Sequence, residues 1–517
     1  MAFLQILGTL LISVVLFLLT AFGSLFLTYT LYLHYVHVKH SHIPGPKRTS
    51  FYWGNLAELS VAIKRNQLID DLLFEWSKQY GRVFVFYITH KVFVQVNIPE
   101  AIKDILLVDN FPKPRRGYRF LEQLFGQPFM GKSLVTETDH ETWKPMSAMF
   151  SPTFHRNFLK TCIVQFNTSC DLLLESLSKK ADGKTEVNML EMFNRVSLDC
   201  ISKVAFGLHL NMFEEEKPQL LEDIRCAAES ALISFLNPLL WCSPFRSASD
   251  FRKKARQAGK HLREVARECI MGSLEDLRSG KTLDNNILSH ILQTSAPGNG
   301  GSATEADLEK MVDHFVTFIA AGQETTACLM ASALLELGRH PEVTYKMKIE
   351  ADAVIGDSGY VAFEDLSNLK YTTAVLKETL RVHPPVSSFP RQLTKDVIWD
   401  GIKVPASTNV GVNIMNLARL EEHFENPKEF IPSRFLTNES YKYVHIPFSL
   451  GPRKCIGQQF AMIEARVIMA KLMKYFHFDL VPGQSFHYVK MVTCKPKDGC
   501  LMYIRPVTGV NPVSTAS

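Results

Sequence analysis

The first 38 positions of the chain are almost all apolar, and no Asp, Glu, Lys or Arg occurs before Lys39. This run is longer than the roughly 20 apolar residues that a helix needs to cross a bilayer. A cleaved signal peptide is the alternative, but its apolar core has only about 7–15 residues and is flanked by a basic start and a cleavage site of small residues. Those flanking features are missing here. The pattern therefore predicts an N-terminal transmembrane helix over residues 1–38.

The residues that follow the apolar run predict its orientation. Lys39, Lys47 and Arg48 come directly after it, and cations near the end of a membrane helix favour the cytosolic side. Pro44 and Pro46 prevent the helix from continuing, which predicts a proline-rich hinge over residues 39–50. We therefore expect one membrane crossing, with the large C-terminal part in the cytosol.

The rest of the chain has a mainly helical pattern. Two β-rich runs, "RVFVFYIT" and "KVFVQVN", predict a hairpin that turns at Thr89 and His90. Helical patterns dominate from about residue 140 to 385, interrupted by a Gly/Ser/Pro-rich loop near 294–303, and strands return around "VIWDGIKVPASTNVGVNIM". This predicts one mainly α domain with small β-sheets over residues 51–508, followed by a tail at 509–517.

Charge and cysteine content narrow the function. The formal charge of +5 is small for 517 residues, and no Lys/Arg-rich block of the nucleic-acid-binding type is present, so we expect no nucleic-acid partner. The ten cysteines form no C-x-x-C pair. In a reducing compartment this pattern favours neither a disulfide framework nor a zinc site.

One cysteine has unusual neighbours. Cys455 lies in "FSLGPRKCIGQQF", where the loop amides and the following helix could hold its thiolate; the alternative is a small buried hydrophobe. Phe448, Gly451, Arg453 and Gly457 complete the signature F-x-x-G-x-R-x-C-x-G, and the chain therefore resembles the cytochrome P450 family. The resemblance implies the cytochrome P450 fold. It also implies haem b with Cys455 as the axial thiolate ligand of the iron, and Phe448, Arg453 and Gly457 as haem-binding residues.

A second stretch supports the resemblance. In "LKETLR", Glu378 and Arg381 stand at positions i and i+3 of one helix face; the alternative is an ordinary surface ion pair. The stretch is similar to the family's E-x-x-R helix, and "PSRF" supplies Arg434 as the expected third member, although Ser433 stands where the family usually has glutamate. The resemblance implies a structural role for Glu378, Arg381 and Arg434.

A third stretch is "AGQETT", inside a long helical pattern. Gly322 lies mid-helix, where glycine costs stability unless something approaches closely, such as a flat cofactor. Thr325 can bond the carbonyl one turn back, which alone would explain it. The stretch is similar to the family's oxygen-binding helix, which implies that Gly322 binds the cofactor and that Glu324 and Thr325 are the catalytic pair that delivers protons.

Haem carries two propionates, so cations should converge on them. Arg391 resembles the family's propionate arginine, and Trp143 resembles the tryptophan of its W-x-x-x-R helix. The arginine of that helix is missing, because residue 147 is Ser147, and Pro145 lies in the same stretch, where proline is tolerated only near a helix start. Lys144 is the candidate substitute.

Several long stretches are similar to the cholesterol 24-hydroxylase branch of the family, among them "FVTFIAAGQETTA" and "GYRFLEQLFGQPFMGKSLVTE". The second resembles the loop that roofs the substrate pocket in that branch. The candidate substrate contacts, for which ordinary core packing is the equal alternative, are Tyr118, Leu124, Phe125, Phe129, Val386 and Phe389.

The apolar stretch at 231–245 is followed by the basic "FRKKARQAGKHLR". An apolar lid that dips into the membrane surface is one interpretation. A buried helix end followed by a solvated charged helix is the other, and composition alone favours it.

The resemblance implies a monooxygenase of the endoplasmic reticulum membrane that inserts one oxygen atom of O2 into a lipophilic, sterol-like substrate. Electrons would come from NADPH through NADPH-cytochrome P450 reductase. Lys454, Lys471 and Lys474 are candidates for docking an acidic reductase surface, with a solvated helix face as the alternative.

Two other functions remain open at this point. A haem-thiolate enzyme that uses peroxide or isomerises its substrate would need no reductant, and the intact Glu324–Thr325 pair argues against it. A membrane haem-binding or sterol-binding protein without turnover is the other, and Ser147 is its best support.

Overall fold

A computed structural model of the chain describes residues 2–65, 67–281, 286–295, 304–437 and 441–507. Most of the predicted loop at 294–303 and the whole predicted tail at 509–517 lie outside these ranges.

Helices form most of the described chain between residues 140 and 385, as the sequence predicts. The α-helices of the described residues are α1 (Ala2–Lys39), α2 (Leu56–Lys64), α3 (Ile69–Tyr80), α4 (Pro99–Lys103), α5 (Arg115–Glu122), α6 (His140–Phe150), α7 (Arg156–Thr161), α8 (Ile163–Ser178), α9 (Met189–Phe206), α10 (Gln219–Leu236), α11 (Arg246–Arg278), α12 (Ile287–Ser295), α13 (Glu305–Arg339), α14 (Pro341–Ile355), α15 (Lys370–Val382), α16 (Ile414–Leu417) and α17 (Gln458–Tyr475). A π-helical turn, Asp104–Val108, extends α4, and 3₁₀ turns lie at Ser151–Phe154, Pro238–Trp241, Gly356–Ser358, Glu364–Ser367 and Pro432–Phe435.

The strands form small sheets, again as predicted. They are β1 (Val83–Ile88), β2 (Lys91–Val96), β3 (Gln123–Leu124), β4 (Gln127–Pro128), β5 (Glu186–Asn188), β6 (Ser388–Gln392), β7 (Val397–Trp399), β8 (Ile402–Val404), β9 (Asn409–Asn413), β10 (Phe476–Leu480), β11 (Tyr488–Lys490), β12 (Cys494–Pro496) and β13 (Leu501–Pro506). The largest sheet has the order β1-β2-β9-β6, in which only the β2–β9 pair is parallel. A second sheet has the order β10-β13-β5, and three two-stranded ribbons pair β3 with β4, β7 with β8 and β11 with β12.

Helix α1 projects from the body of the protein. Two helices in the described residues are long and apolar enough to span a membrane, α1 and α13, but 72% of the apolar window of α13 is buried in the core, against 0% for α1. The last turns of α1 do pack on the body: Leu33 is buried, and Lys39 Nζ donates to the carbonyl of Ala406 at 3.2 Å. Length, composition and exposure thus make α1 the candidate membrane span.

The core is built around α13, which packs against α9, α11, α15 and α17. The Thr304 hydroxyl caps its first turn by accepting from the Asp307 amide. A Cβ added to Gly322 would lie 3.3 Å from Cγ1 of Ile201 on α9. The missing side chain of Gly322 therefore makes room for a neighbouring helix, and its role in cofactor binding stays a prediction.

The apolar stretch at 231–245 differs from the favoured prediction. Helix α10 ends at Leu236, and the turn that joins it to α11 exposes 72% of Leu239 and 73% of Phe245. The interpretation as a buried helix end was therefore wrong. The basic stretch that follows is largely solvated, as expected, with Lys253, Lys254 and Lys260 exposed, while the Arg252 guanidinium donates to the carbonyls of Leu240 and Ser243.

Candidate active site

The loop before α17 presents Cys455. Gly451 has φ +75°, and a side chain there would collide with the carbonyl of Leu106, so the turn requires glycine. The Cys455 amide donates to the carbonyl of Phe448 at 2.9 Å, which closes the loop. Burial raises the pKa of the Cys455 thiol, while a hydrogen bond from the Gly457 amide lowers it. Since α17 begins one residue later, the sulfur lies at the positive end of a helix.

Cys455 is not packed as a small hydrophobe. Its side chain is solvent-accessible, even though the surrounding protein is dense enough for burial to raise its pKa. It lines a cavity of about 630 Å³ together with Phe154, Arg156, Lys454 and Arg466. A sulfur that is both enclosed and accessible can serve as a ligand, whereas the fully buried cysteines of the core cannot.

One face of α13 is accessible inside the protein. Residues 315–319 and 326–335 of the helix are buried, but Ala320, Ala321, Glu324 and Thr325 between them are partly accessible. These four stand at positions i, i+1, i+4 and i+5, so they share one stripe of the helix. The Thr325 hydroxyl donates to the carbonyl of Ala321 at 2.8 Å, the local bond that the sequence predicts.

Glu324 is held by a cation that the sequence did not reveal. Lys495 Nζ, on β12, lies 2.9 Å from Glu324 Oε1 and 3.8 Å from Glu229 Oε1. Burial lowers the pKa of Lys495, but the two carboxylates outweigh this effect and the net shift is upward. The group lines a polar cavity of about 330 Å³ that also contains Gln323 and Asn194. Protons can therefore reach Glu324 from a space that is large enough to hold several water molecules.

Two arginines converge, and neither forms an ion pair with a carboxylate of the described residues, although Glu137 and Asp139 lie near Arg453 and raise its pKa somewhat. Arg391, on β6, is buried; it donates to the carbonyl of Pro390 at 2.9 Å, and its Nε has no hydrogen-bond partner among the described residues. Arg453 donates to the carbonyls of Glu137 and Asp139, and its guanidinium lies 4.2 Å from the ring centroid of Trp143. Burial, followed by the nearby Arg391, lowers the pKa of Arg453 to about 10. The pair is arranged to receive an anion.

Helix α6, in which Ser147 stands in place of the family's arginine, differs in two respects from what the sequence predicts. Pro145 is the sixth residue of α6, beyond the first turn in which proline was expected. Ser147 uses its carbonyl to accept from the Ser151 hydroxyl at 2.7 Å. Lys144, the predicted substitute, is exposed on the outer side of the helix. A different lysine, Lys113, is the one that lies near Arg391 and Arg453.

Glu378, Arg381 and Arg434 form a buried ionic group. The Glu378 carboxylate accepts from Arg381 Nε at 2.7 Å and Nη2 at 2.9 Å, and from Arg434 Nε at 3.1 Å. Arg381 also donates to the carbonyls of Ala418, Pro427 and Glu429. The group ties α15 to the segment before the Cys455 loop.

The predicted substrate contacts divide into two sets. Leu124, Phe125 and Phe129 are each less than 5% exposed, which favours core packing, and their assignment as substrate contacts stays a prediction. Tyr118 stands over Lys113, with the ammonium 4.7 Å from its ring centroid. Tyr118, Val386, which is exposed, and Phe389, which is half-buried, also stay predictions.

The predicted docking lysines also divide. Lys471 is buried and ion-paired with Asp171, and Lys474 donates to the carbonyl of Gly356 at 2.6 Å. Neither can meet a partner protein, so both assignments were wrong. Lys454 is exposed beside Cys455 and stays a prediction.

A buried acid lies between α17, the helix that follows Cys455, and α13, the helix that carries Glu324 and Thr325. Glu464 on α17 lies near the hydroxyls of Ser197 and Thr326, and Thr326 is the neighbour of Thr325 on α13. Among the described residues, no hydrogen bond or ion pair joins Cys455 to Glu324 or Thr325. No local sequence pattern singles out Glu464, Lys113 or Lys495, because their roles depend on contacts between distant segments.

Comparison with known proteins decides the family. The family model described as Cytochrome P450 matches residues 44–500. The chain belongs to the cytochrome P450 family. The chain is 28% identical to Cytochrome P450 4d2 of Drosophila melanogaster over 90% of its own length and 94% of that protein. It is 29% identical to 11-oxo-beta-amyrin 30-oxidase of Glycyrrhiza uralensis over 78% and 77%, and 28% identical to human Cytochrome P450 4X1 over 84% and 86%.

Cytochromes P450 are monooxygenases that bind haem b through a cysteine thiolate, and the residues present fit that group. Cys455 supplies an accessible sulfur at a helix start, and Arg391 and Arg453 supply two guanidiniums that form no ion pair among the described residues. The unpaired Nε of Arg391 is the kind of buried donor that a propionate oxygen satisfies. When bound, haem supplies the activation of O2 for insertion of one oxygen atom into a substrate.

Proposed function

We propose that this cytochrome P450 hydroxylates a lipophilic, sterol-like substrate, with electrons delivered from NADPH by NADPH-cytochrome P450 reductase. The observation that carries the proposal is the accessible stripe of α13, in which the apolar Ala320 and Ala321 adjoin Glu324 and Thr325. Such a surface offers an apolar wall to a substrate next to groups that can move a proton.

The sterol class rests on similarity. The stretches around Thr325 and Phe129 resemble the cholesterol 24-hydroxylase branch. One relative is named as an oxidase of 11-oxo-beta-amyrin, a triterpenoid, which like a sterol has a fused, mostly apolar ring skeleton. Both observations favour a bulky polycyclic lipid as the first class of substrate to test.

Proton supply is assigned to Glu324 and Thr325. Lys495 keeps the Glu324 carboxylate within the polar cavity, and Thr325 stands one residue further along the same helix. We assign to Glu324 the transfer of protons from that cavity towards Thr325. A site with such a supply favours a reaction that consumes reductant over isomerisation or simple ligand binding.

The electron donor is assigned to the face next to Cys455. The cavity there is lined by cations, Arg156, Lys454 and Arg466, and by no Asp or Glu among the described residues. Burial, followed by the nearby Arg156, lowers the pKa of Arg466, as expected for cations that lack a counter-charge. An acidic partner surface would complement this face.

We assign the protein to the endoplasmic reticulum membrane, with residues 51–508 on the cytosolic side. The turn between β1 and β2 contacts both α1 and the end of α10. The His90 ring lies 6.2 Å from the ring of Tyr29 on α1, and Lys91 Nζ lies 4.7 Å from the ring of Phe235 near the end of α10. Helix α1 and the exposed α10–α11 turn therefore lie on the same side of the molecule, which supports one membrane-facing surface.

The first experiment is the absorption spectrum of the dithionite-reduced protein under carbon monoxide. Wild type should give the strongly red-shifted band of thiolate-ligated haem, and Cys455→Ala should lose it. Cys242→Ala is the matched control, because Cys242 is also exposed but lies in the α10–α11 turn. A band at the ordinary position in wild type would contradict thiolate ligation by Cys455.

The second step measures turnover of sterols with NADPH and the purified reductase. The proposal expects hydroxylated product that depends on both. Product with peroxide alone, or with no reductant, would favour the peroxide-using or isomerising alternative. A spectral shift on sterol binding without any product would favour the binding protein.

A further inference from the structure

Lys113 is a cation enclosed by the protein with no carboxylate partner among the described residues. Its Nζ donates to the carbonyl of Val135 at 2.8 Å and stands 4.7 Å from the ring centroid of Tyr118. Burial, with Arg391 and Arg453 as further causes, lowers the pKa of Lys113 well below its usual value. A lysine in this position repels its neighbours unless an anion joins them.

The backbone places Lys113 there firmly. It stands between Pro112 and Pro114, and a residue before proline is restricted to extended conformations. The carbonyl of Pro112 accepts from the Gln392 amide at 2.9 Å, so this segment is fixed beside β6, the strand that carries Arg391. The position is built by the fold and does not depend on a flexible side chain reaching across solvent.

Three cations, Lys113, Arg391 and Arg453, therefore lie close enough together for the two arginines to lower the pKa of the lysine, and the carboxylates of Glu137 and Asp139 offset only part of the charge, on Arg453. Tyr118 stands among them: burial raises the pKa of its phenol, while the two arginines lower it, and the net shift is upward. The phenol thus remains a neutral O–H donor. Like charges this close in a region of low dielectric cost stability, and two carboxylates would offset that cost.

We propose that Lys113 binds a haem propionate and, with Tyr118, replaces the arginine that the family has at position 147. The inference rests on the haem-thiolate function proposed above and adds residues to its cofactor site. Lys113 takes the role that was expected of Lys144. The departure at Ser147 is thereby offset by a cation from another segment of the chain.

The test is haem retention by purified holoenzyme, measured as the rate of haem transfer to excess apomyoglobin, without substrate or reductase. Lys113→Met should lose haem about tenfold faster or more, the effect of removing one charge-assisted hydrogen bond. Lys113→Arg should restore most of the retention, and Tyr118→Phe should have a smaller effect of the same sign. Lys144→Met is the matched control and should behave as wild type.

A second readout separates propionate contact from general loosening of the fold. The propionate bending bands in the resonance Raman spectrum should shift in Lys113→Met and Tyr118→Phe, with the carbon monoxide band unchanged in the haem that remains. Wild-type retention and unshifted propionate bands in Lys113→Met would overturn the proposal, and so would faster loss in Lys144→Met alone. Failure to hydroxylate sterols would change neither readout, so the two proposals fail separately.

Discussion

At the scale of single residues, Glu464 is a buried acid that lacks hydrogen-bond partners of ordinary geometry in the described part of the chain, and this environment changes its ionisation. The side chain is fully buried on α17, and neither carboxyl oxygen has a hydrogen-bond partner of ordinary geometry among the described residues. Burial raises the pKa of Glu464 to about 8, although the hydroxyls of Ser197 and Thr326 lower it somewhat. The folded protein therefore holds this acid in its neutral form at pH 7.

This raised pKa predicts a dependence of stability on pH. In the unfolded chain Glu464 ionises near pH 4.5, but in the folded chain it ionises only near pH 8. The contribution of the neutral carboxyl to the free energy of unfolding is therefore fully present below about pH 4.5 and is lost as pH rises through about 8. Each unit of difference is worth about 1.4 kcal/mol.

Glu464→Gln removes this titration. The free energy of unfolding of this variant, relative to that of wild type at the same pH, should increase progressively between pH 5 and pH 8, as measured by denaturant titration of the holoenzyme. Glu421→Gln, at an exposed position, should differ from wild type by a constant amount. A constant difference for Glu464→Gln as well would show that the acid is ionised in the folded state.

Sequence patterns located the residues that act within one short segment. Cys455, Gly457 and Phe448 depend on one loop, and Glu378 and Arg381 on one helix turn, so spacing alone was enough to bring each set together. Lys113 and Lys495 were missed because a lysine acquires its role only through segments far away in the chain. The assignment of Phe125 stays open between pocket and core, because a pocket wall and a packed core have the same apolar composition.

At the scale of elements, the β3–β4 hairpin is held by α11 and the turn before it. Phe125, at its tip, adopts φ +50°, a conformation that only a few per cent of non-glycine residues take. Its ring packs 5.3 Å from that of Trp241 and 5.8 Å from that of Phe251. Arg256 Nε also donates to the Phe125 carbonyl at 3.2 Å. The hairpin thus depends on tertiary contacts and not on its own short strands.

Removing the main aromatic contact should therefore free the hairpin. In Trp241→Ala, we expect amide hydrogen exchange at residues 123–128 to become at least several times faster, because an aromatic pair contributes about 0.5–1.5 kcal/mol beyond area burial. Trp53→Ala, at another exposed tryptophan, is the control and should leave exchange in the hairpin unchanged. Unaltered exchange in Trp241→Ala would mean that Arg256 and Phe251 hold the hairpin without Trp241.

Long periodic elements were predictable, and short connections were not. Helix α13 has 35 residues, and the two strands of the β1–β2 hairpin have 12 residues together. In both elements the periodicity repeats often enough to be recognised. The two-residue strands β3 and β4 and the exposed turn after α10 have no such repetition. Their structures are set by neighbours, and so the favoured interpretation of residues 231–245 failed.

At the scale of the whole molecule, α1 and the α10–α11 turn define one surface for the membrane. The turn exposes Leu236, Leu239, Trp241 and Phe245, and basic residues follow in α11. Apolar side chains flanked by cations are typical of segments that rest at the boundary of head groups and acyl chains. If α1 spans the bilayer, the turn should be immersed in the same leaflet.

Cys242 provides a natural probe of this immersion, because it is exposed next to Trp241. In the full chain in vesicles, an environment-sensitive fluorophore on Cys242 should show blue-shifted emission and quenching by lipids spin-labelled near the head groups. Leu239→Glu should weaken both signals, because a charge at that depth costs free energy that leucine does not. Leu436→Glu, at a leucine that is 49% exposed elsewhere on the body, should leave them unchanged. Equal quenching in the Leu239 and Leu436 variants would mean that α1 alone holds the protein to the membrane and that the turn remains in water.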